Sequence, residues 1–337
     1  MVKRVGNLME RIADRENLNE AFLRAAKAKR GRKAVVEFRR KVDDNLHVIR
    51  QQLLDGTFRF GRYQFFTIHD PKKRSICAAS FPERVVFHAI MRICHPVFDN
   101  YQTYDSYACR KGKGQYKALE RAQHFARRYQ WFAKLDVRHY FDSISHRVLM
   151  QQLCRLFKDK QLLLYFSDLI ASYSVMEGRG IPIGNLTSQY FANHYLAAAD
   201  HYAKEKLGIK AMVRYMDDIL LFAEEQNDLM KMMDGLKDYL HNSLRLECHE
   251  PIINKSRHGI PFLGYVVYGD NLRLNKRSKN RYHTKMKELA VSINLGEICG
   301  GDYAQHASCL TSFIAKADTY GFRNKVLNAR GMYLHGL

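Results

Sequence analysis

The sequence predicts an α+β fold with a helical C-terminal appendage. Helix-like and strand-like apolar spacings interleave along most of the chain. No internal repeat, low-complexity run or long linker separates them. After the last strand-like run, at 260–274, only helical patterns remain.

The elements follow in order. Residues 34–55 place Val35, Phe38, Val42, Leu46, Ile49 and Leu53 at steps of three and four, an amphipathic helix closed by Gly56. Residues 57–76 switch to alternation with aromatics and predict a hairpin. Pro82 stands near the start of a helix over 81–98, and another helix covers 114–129. "QWFAKLDV" (130–137) reads as a strand buried on both faces. Helices follow at 146–157 and 159–173, then a Gly/Pro-punctuated turn at 178–185 and a long helix at 186–206. "MVRYMDDILLF" predicts two buried strands joined by a tight turn, followed by a helix at 225–244. Short strands are expected at 245–249 and 260–274.

The chain has 337 residues, 46% of them hydrophobic, which suits a globular protein of two or three subdomains. No apolar run is long enough for a transmembrane helix, and "MVKRVGNLMERIADRENLNEAF" lacks the apolar centre of a signal peptide. Lys and Arg total 55 against 34 Asp and Glu, a net charge of +21, with dense spots at 27–33, 71–74 and 110–114. A polyanionic partner is expected, nucleic acid before an acidic membrane, because neutralised phosphates release counterions. Seven cysteines without CxxC spacing and fifteen histidines without HExxH argue against a zinc site or a disulfide framework, and they fit a reducing cytosol.

Asp217 and Asp218 carry the chemistry. Adjacent carboxylates repel, and burying them is costly without a cation nearby. Asp43-Asp44 is a second such pair, but it lies on the polar side of an amphipathic helix. Around Asp217-Asp218, both flanks are apolar and no Gly, Pro or Asn supplies an ordinary loop. The strand "WFAKLD" also ends on a carboxylate, Asp136, and neighbouring strands would bring Asp136 and Asp217 to a common point. Mg2+ takes one or two protein carboxylates and completes its shell with water and phosphates. Two such ions serve phosphoryl transfer on nucleic acid. The competing reading is a structural acidic turn.

An ordered series of motifs then resembles reverse transcriptases. "DPKKRSIC" and "YACRKGKGQYKAL" are similar to the two fingers motifs. "FAKLDVRHYFDSI", "GIPIGNLTSQYFANHYL" and "VRYMDDILLF" resemble palm motifs A, B and C, and "LRLECHEPIINKSRHGIPFLGY" the later palm motifs. The resemblance implies a right-hand polymerase: N-terminal helices and fingers over 1–125, a ferredoxin-like antiparallel palm over 126–272, and a helical thumb over 273–337. In motif B the chain reads Ile183-Gly184-Asn185-Leu186-Thr187-Ser188-Gln189, where many family members have roughly QGxxxSP. This IGxxxSQ pattern resembles the enzymes of diversity-generating retroelements. Those enzymes copy a template-repeat RNA with errors at adenines and work with a small basic pentameric helical accessory protein.

By this resemblance Asp136 and Asp217 are the principal ligands of two Mg2+ ions, with Mn2+ as a substitute. The Val137 carbonyl assists, and Asp218 is the third catalytic carboxylate and a further metal ligand. Arg74 and Lys72 are expected on the dNTP triphosphate, where an Arg grips bidentately. Phe141 is expected under the sugar, against a 2′-hydroxyl. Ile183 has no donor or acceptor and can only pack where a Gln would restrain the nascent pair. Gln189 is expected near the template or supporting its loop, Tyr215 and Met216 near the primer end, and Lys255 as a candidate general acid for pyrophosphate. The partners implied are template-repeat RNA, RNA–DNA hybrid, dNTPs and the accessory protein, for a cytoplasmic protein of prokaryotic or phage-encoded origin and away from membranes. Other readings stay open: another small prokaryotic reverse transcriptase (retron, intron-like or phage-defence), a polymerase active only within its complex, or a nucleic-acid scaffold without catalysis.

Overall fold

A computed structural model describes residues 3–69 and 74–328. The chain opens with four helices: α1 (Met9–Ile12), α2 (Arg15–Ala26), α3 (Lys33–Arg40) and α4 (Val42–Leu54). The run expected as one helix over 34–55 is therefore two. The backbone leaves helical geometry at Lys41 (φ −131°, ψ 47°). The break lets Phe38 stack on Phe22 and meet Phe81 edge-on, while Leu46, Ile49 and Leu53 remain buried further along the core.

β1 (Tyr63–Ile68) and β2 (Arg74–Ala79) form the expected hairpin. Its base is fastened to α5 (Phe81–Tyr101) by Glu83. This buried carboxylate closes a capping box with Ser80 and also accepts from the Gly61 and Arg62 amides at 2.6 and 3.1 Å. Four hydrogen bonds make its burial affordable. α6 (Gln115–Ala126) then leads into β3 (Trp131–Asp136).

β3 starts a βαββαβ unit. After it come α7 (Tyr140–Ser143), α8 (His146–Leu156), α9 (Lys160–Ala171) and α10 (Leu186–Glu205). The hairpin β4 (Met212–Tyr215) and β5 (Asp218–Ala223), then α11 (Gln226–Asn242) and β6 (Ile252–Lys255), complete it. The four strands lie in the order β4-β5-β3-β6, all antiparallel, which is the ferredoxin-like arrangement. The strand expected at 245–249 is not one. That segment makes only a single bridge, Cys248 to Val137, and the edge strand forms at 252–255 instead.

Both faces of this sheet are covered, as the apolar run of β3 requires. Ala133, Leu135, Ile219 and Leu221 pack into the larger core with α10 and α11. Phe132, Leu220 and Phe222 face a second core with α6 and the C-terminal elements. The latter are a three-stranded sheet, β7 (Ile260–Phe262), β8 (Tyr265–Val267) and β9 (Leu272–Leu274), and the helices α12 (Lys276–Asn294), α13 (Gly300–Ile314) and α14 (Tyr320–Asn328). Among the described residues no helix is long and apolar enough to cross a membrane.

Candidate active site

The carboxylates meet at one end of the four-stranded sheet. Asp136, the last residue of β3, stands directly opposite Asp218, the first residue of β5. Opposed residues of an antiparallel pair have Cα atoms only about 4.5–5.5 Å apart. Tyr215 also pairs with Asp218, so the β4–β5 turn consists of Met216 and Asp217 alone. Met216 takes a positive φ of 54° without being glycine. A two-residue hairpin loop that matches strand twist demands such a conformation, at a strain cost for a bulky side chain. The turn thus raises Asp217 at its tip beside the other two acids.

The local electrostatics follow. Burial, and then the charges of Asp136 and Asp218, push the Asp217 carboxyl up to about 6, against the pull of a backbone hydrogen bond and of Arg74. Arg74 is exposed at the start of β2 and is the cation whose charge acts on Asp217. Asp218 has its own partner, Lys134, whose Nζ lies 2.8 Å from Oδ1. Lys134 and Asp136 sit two apart on β3 and therefore share a face.

Do these residues suit a divalent cation? Among the described residues no three His, Cys, Asp or Glu side chains form a ready-made cage. Mg2+ does not need one, because one or two carboxylates suffice when water and phosphate complete the shell. Asp136 and Asp217 supply two hard oxygen donors, and the burial and neighbouring carboxylates that raise Asp217 are offset by a bound cation. The donor set fits.

The other expected residues fall into place unevenly. Val137 is buried beside Asp136. Phe141, half-buried in α7, meets Tyr140 edge-on at 5.8 Å, and its carbonyl accepts from the Ile181 amide. The Ile183 carbonyl accepts from the Cys77 amide at 2.8 Å, so the turn before α10 is stitched to β2 on one side and α7 on the other. Gln189 is exposed on the first turn of α10, 3.7 Å from the Cys109 thiol. Lys72 lies outside the described residues. Lys255 is a correction. It pairs with Trp131 at the opposite end of β3 and sits over that indole at 5.3 Å. Five strand residues, about 17 Å, separate it from Asp136, so it is not a general acid at this site.

Two residues were missed in the sequence. Lys134 is one; Arg214 is the other, fully buried in β4 and donating to the Met216 carbonyl. Each had a signal: a lone cation inside an apolar strand, which needs a partner to be tolerated there.

A ferredoxin-like sheet with a carboxylate hairpin at its end, flanked by a β-hairpin and C-terminal helices, is the architecture of a right-hand polymerase. An apo telomerase structure from Candida tropicalis superposes with a TM-score of 0.50 at 9% identity, covering 80% of this chain and 59% of that one, a likeness of fold. Residues 69–267 match the family described as Reverse transcriptase (RNA-dependent DNA polymerase), and the chain belongs to that family. It is similar to the COX1/OXI3 intron 1 protein of Saccharomyces cerevisiae (24% identity over 173 residues, 49% of this chain). It is also similar to Protein YkfC of Escherichia coli (23% over 174 residues, 48% of this chain). The chain spans 21% and 46% of the length of these relatives.

Proposed function

We propose that the chain is an RNA-directed DNA polymerase that copies a template-repeat RNA into adenine-mutagenised cDNA for a diversity-generating retroelement. The observation that carries the polymerase reading is the placement of Asp136 opposite Asp218 with Asp217 at the turn beside them. Asp136 and Asp217, with the Val137 carbonyl, would hold the metal; Asp218, paired with Lys134, balances the charge of the pair. Bound there, two Mg2+ ions, or Mn2+ in their place, supply activation of the primer 3′-hydroxyl and neutralisation of the leaving pyrophosphate. Arg74, with Lys72, grips the triphosphate, and Phe141 excludes a 2′-hydroxyl. The division into fingers (1–125), palm (126–272) and thumb (273–337) belongs to the same reading. So do the RNA–DNA hybrid, the pentameric accessory protein and the cytoplasmic setting.

Ile183 and Gln189 support the subgroup. Ile183 offers only packing where a hydrogen-bonding side chain would restrain the new base pair. Similarity to an intron protein favours a second reading, a polymerase of an intron-type element. Extension of a primer on an adenine-containing RNA, with accessory protein supplied and the cDNA sequenced, separates them. The proposal predicts Mg2+-dependent dNTP incorporation, lost in Asp217→Asn, with substitutions concentrated at template adenines. Evenly spread errors favour the intron-type reading. Incorporation that survives Asp217→Asn contradicts both.

A further inference from the structure

Arg214 is among the largest fully buried side chains of the molecule, and it stands in β4 two residues before Met216 of the catalytic turn. All of its donors are engaged. Nε lies 2.8 and 2.9 Å from the two oxygens of Asp200, itself fully buried in α10, and Nη2 lies 2.7 Å from one of them. Nη2 also reaches Ser106 Oγ at 3.0 Å and Gln102 Oε1 at 3.1 Å, in the segment after α5. Nη1 donates to Asn193 Oδ1 at 2.9 Å and to the Met216 carbonyl at 3.1 Å.

The pair is a poor device for stability alone. Removing two charges from water is costly, and apolar residues of similar volume are often as stable. What the guanidinium adds is geometry: a rigid planar fork that bonds in several fixed directions at once. One of those bonds ends on Met216, the residue in the left-handed conformation. Holding that carbonyl fixes the peptide plane leading into Asp217. We propose that Arg214, set by Asp200 and Asn193, is a positioning residue that holds the Met216–Asp217 turn in the geometry that metal binding and catalysis need. The inference rests on the polymerase reading given above.

The test uses the full chain in two variants. Arg214→Lys keeps a cation against Asp200 but has only three donors on a point charge, too few to reach both Asp200 and Met216 in the same geometry. The double variant Arg214→Met with Asp200→Leu removes both charges, so no buried charge is left alone. Thermal unfolding, Mn2+ binding by electron paramagnetic resonance and single-nucleotide extension are measured on each. In folded protein the extension rate falls by about 100-fold, the cost of a small misplacement of a reacting group. The KM for dNTP stays within about twofold, and Mn2+ affinity weakens by about tenfold or more. Wild-type rate and Mn2+ affinity in either folded variant overturn the proposal, and so does a loss that resides in KM alone. Asp217→Asn separates the two levels. If it still extends primers, the polymerase reading fails; if it is inactive while the Arg214 variants match wild type, only the positioning role fails.

Discussion

Asp218 faces Asp136 across the sheet, yet its nearest charge is a lysine. Lys134 and Asp218 are both largely withdrawn from water, with side-chain exposures of 19% and 26%, so the pair is screened less than a surface salt bridge. Of the three carboxylates in this corner, Asp218 is thus matched by a lysine. A different residue sets an acid limit on the fold. His194, on α10, is buried between Phe98 and Tyr101 of α5 at ring distances of 5.5 and 5.0 Å. Neither ring nitrogen has a hydrogen-bond partner among the described residues. Burial pushes it down to about 4, against the opposing pull of the Gln152 backbone, which lies too poorly aligned for a well-formed hydrogen bond, and with smaller contributions from the charges of His201 and Arg214. The unfolded chain therefore binds a proton that the folded one refuses, and stability rises with pH across the window between those values. Above about pH 6.5 the effect is absent; as pH falls to about 4 the fold loses about 3 kcal/mol. His88, pushed to about 4 by burial and by Arg84, Arg24 and Lys29, shares the window. Denaturant melts at several pH values should show a smaller acid-side loss in His194→Phe than in the wild type. An unchanged pH dependence in that variant contradicts the assignment.

Among the elements, the turn before α10 shows how a glycine couples two parts of the chain. Gly184 has φ +115°, and a Cβ there would lie 2.9 Å from Ile76 Cγ2 and 3.0 Å from the Cys77 carbonyl of β2. Gly112 has φ +73° with open space around it. Gly112→Ala is expected to lose only the roughly 1–2 kcal/mol of a left-handed alanine. Gly184→Ala should lose about 1–3 kcal/mol more, because β2 or the turn must move. Equal losses in chemical denaturation would show that the turn does not depend on this close approach. The turn, the long helix after it and the carboxylate hairpin were all legible, because apolar spacing and punctuation report on local structure. β6 was not. It is an edge strand in which Ile252 and Asn254 are exposed, so it carries no apolar stripe, and the better-looking run at 245–249 makes only one bridge. Lys255 was misplaced for the same reason, since strand order and direction decide which end of the sheet it occupies. The partners of Lys134 and Arg214 lie 84 and 14 residues away, at Asp218 and Asp200, and no spacing rule links them.

For the molecule as a whole, net charge and site agree. A +21 chain whose α12 carries Lys276, Arg277, Lys279, Arg281, Lys285 and Lys287 suits a phosphate backbone. Affinity for template RNA should fall steeply and linearly on a log–log plot against salt. A flat response is incompatible with binding through phosphates. The most direct measurement is Mn2+ binding to the 337-residue chain, followed by electron paramagnetic resonance in wild type, Asp136→Asn, Asp217→Asn and Asp218→Asn. Loss of either Asp136 or Asp217 should weaken binding by at least about tenfold, and loss of Asp218, already matched by Lys134, by less. Undiminished Mn2+ affinity in Asp136→Asn or Asp217→Asn would contradict the account.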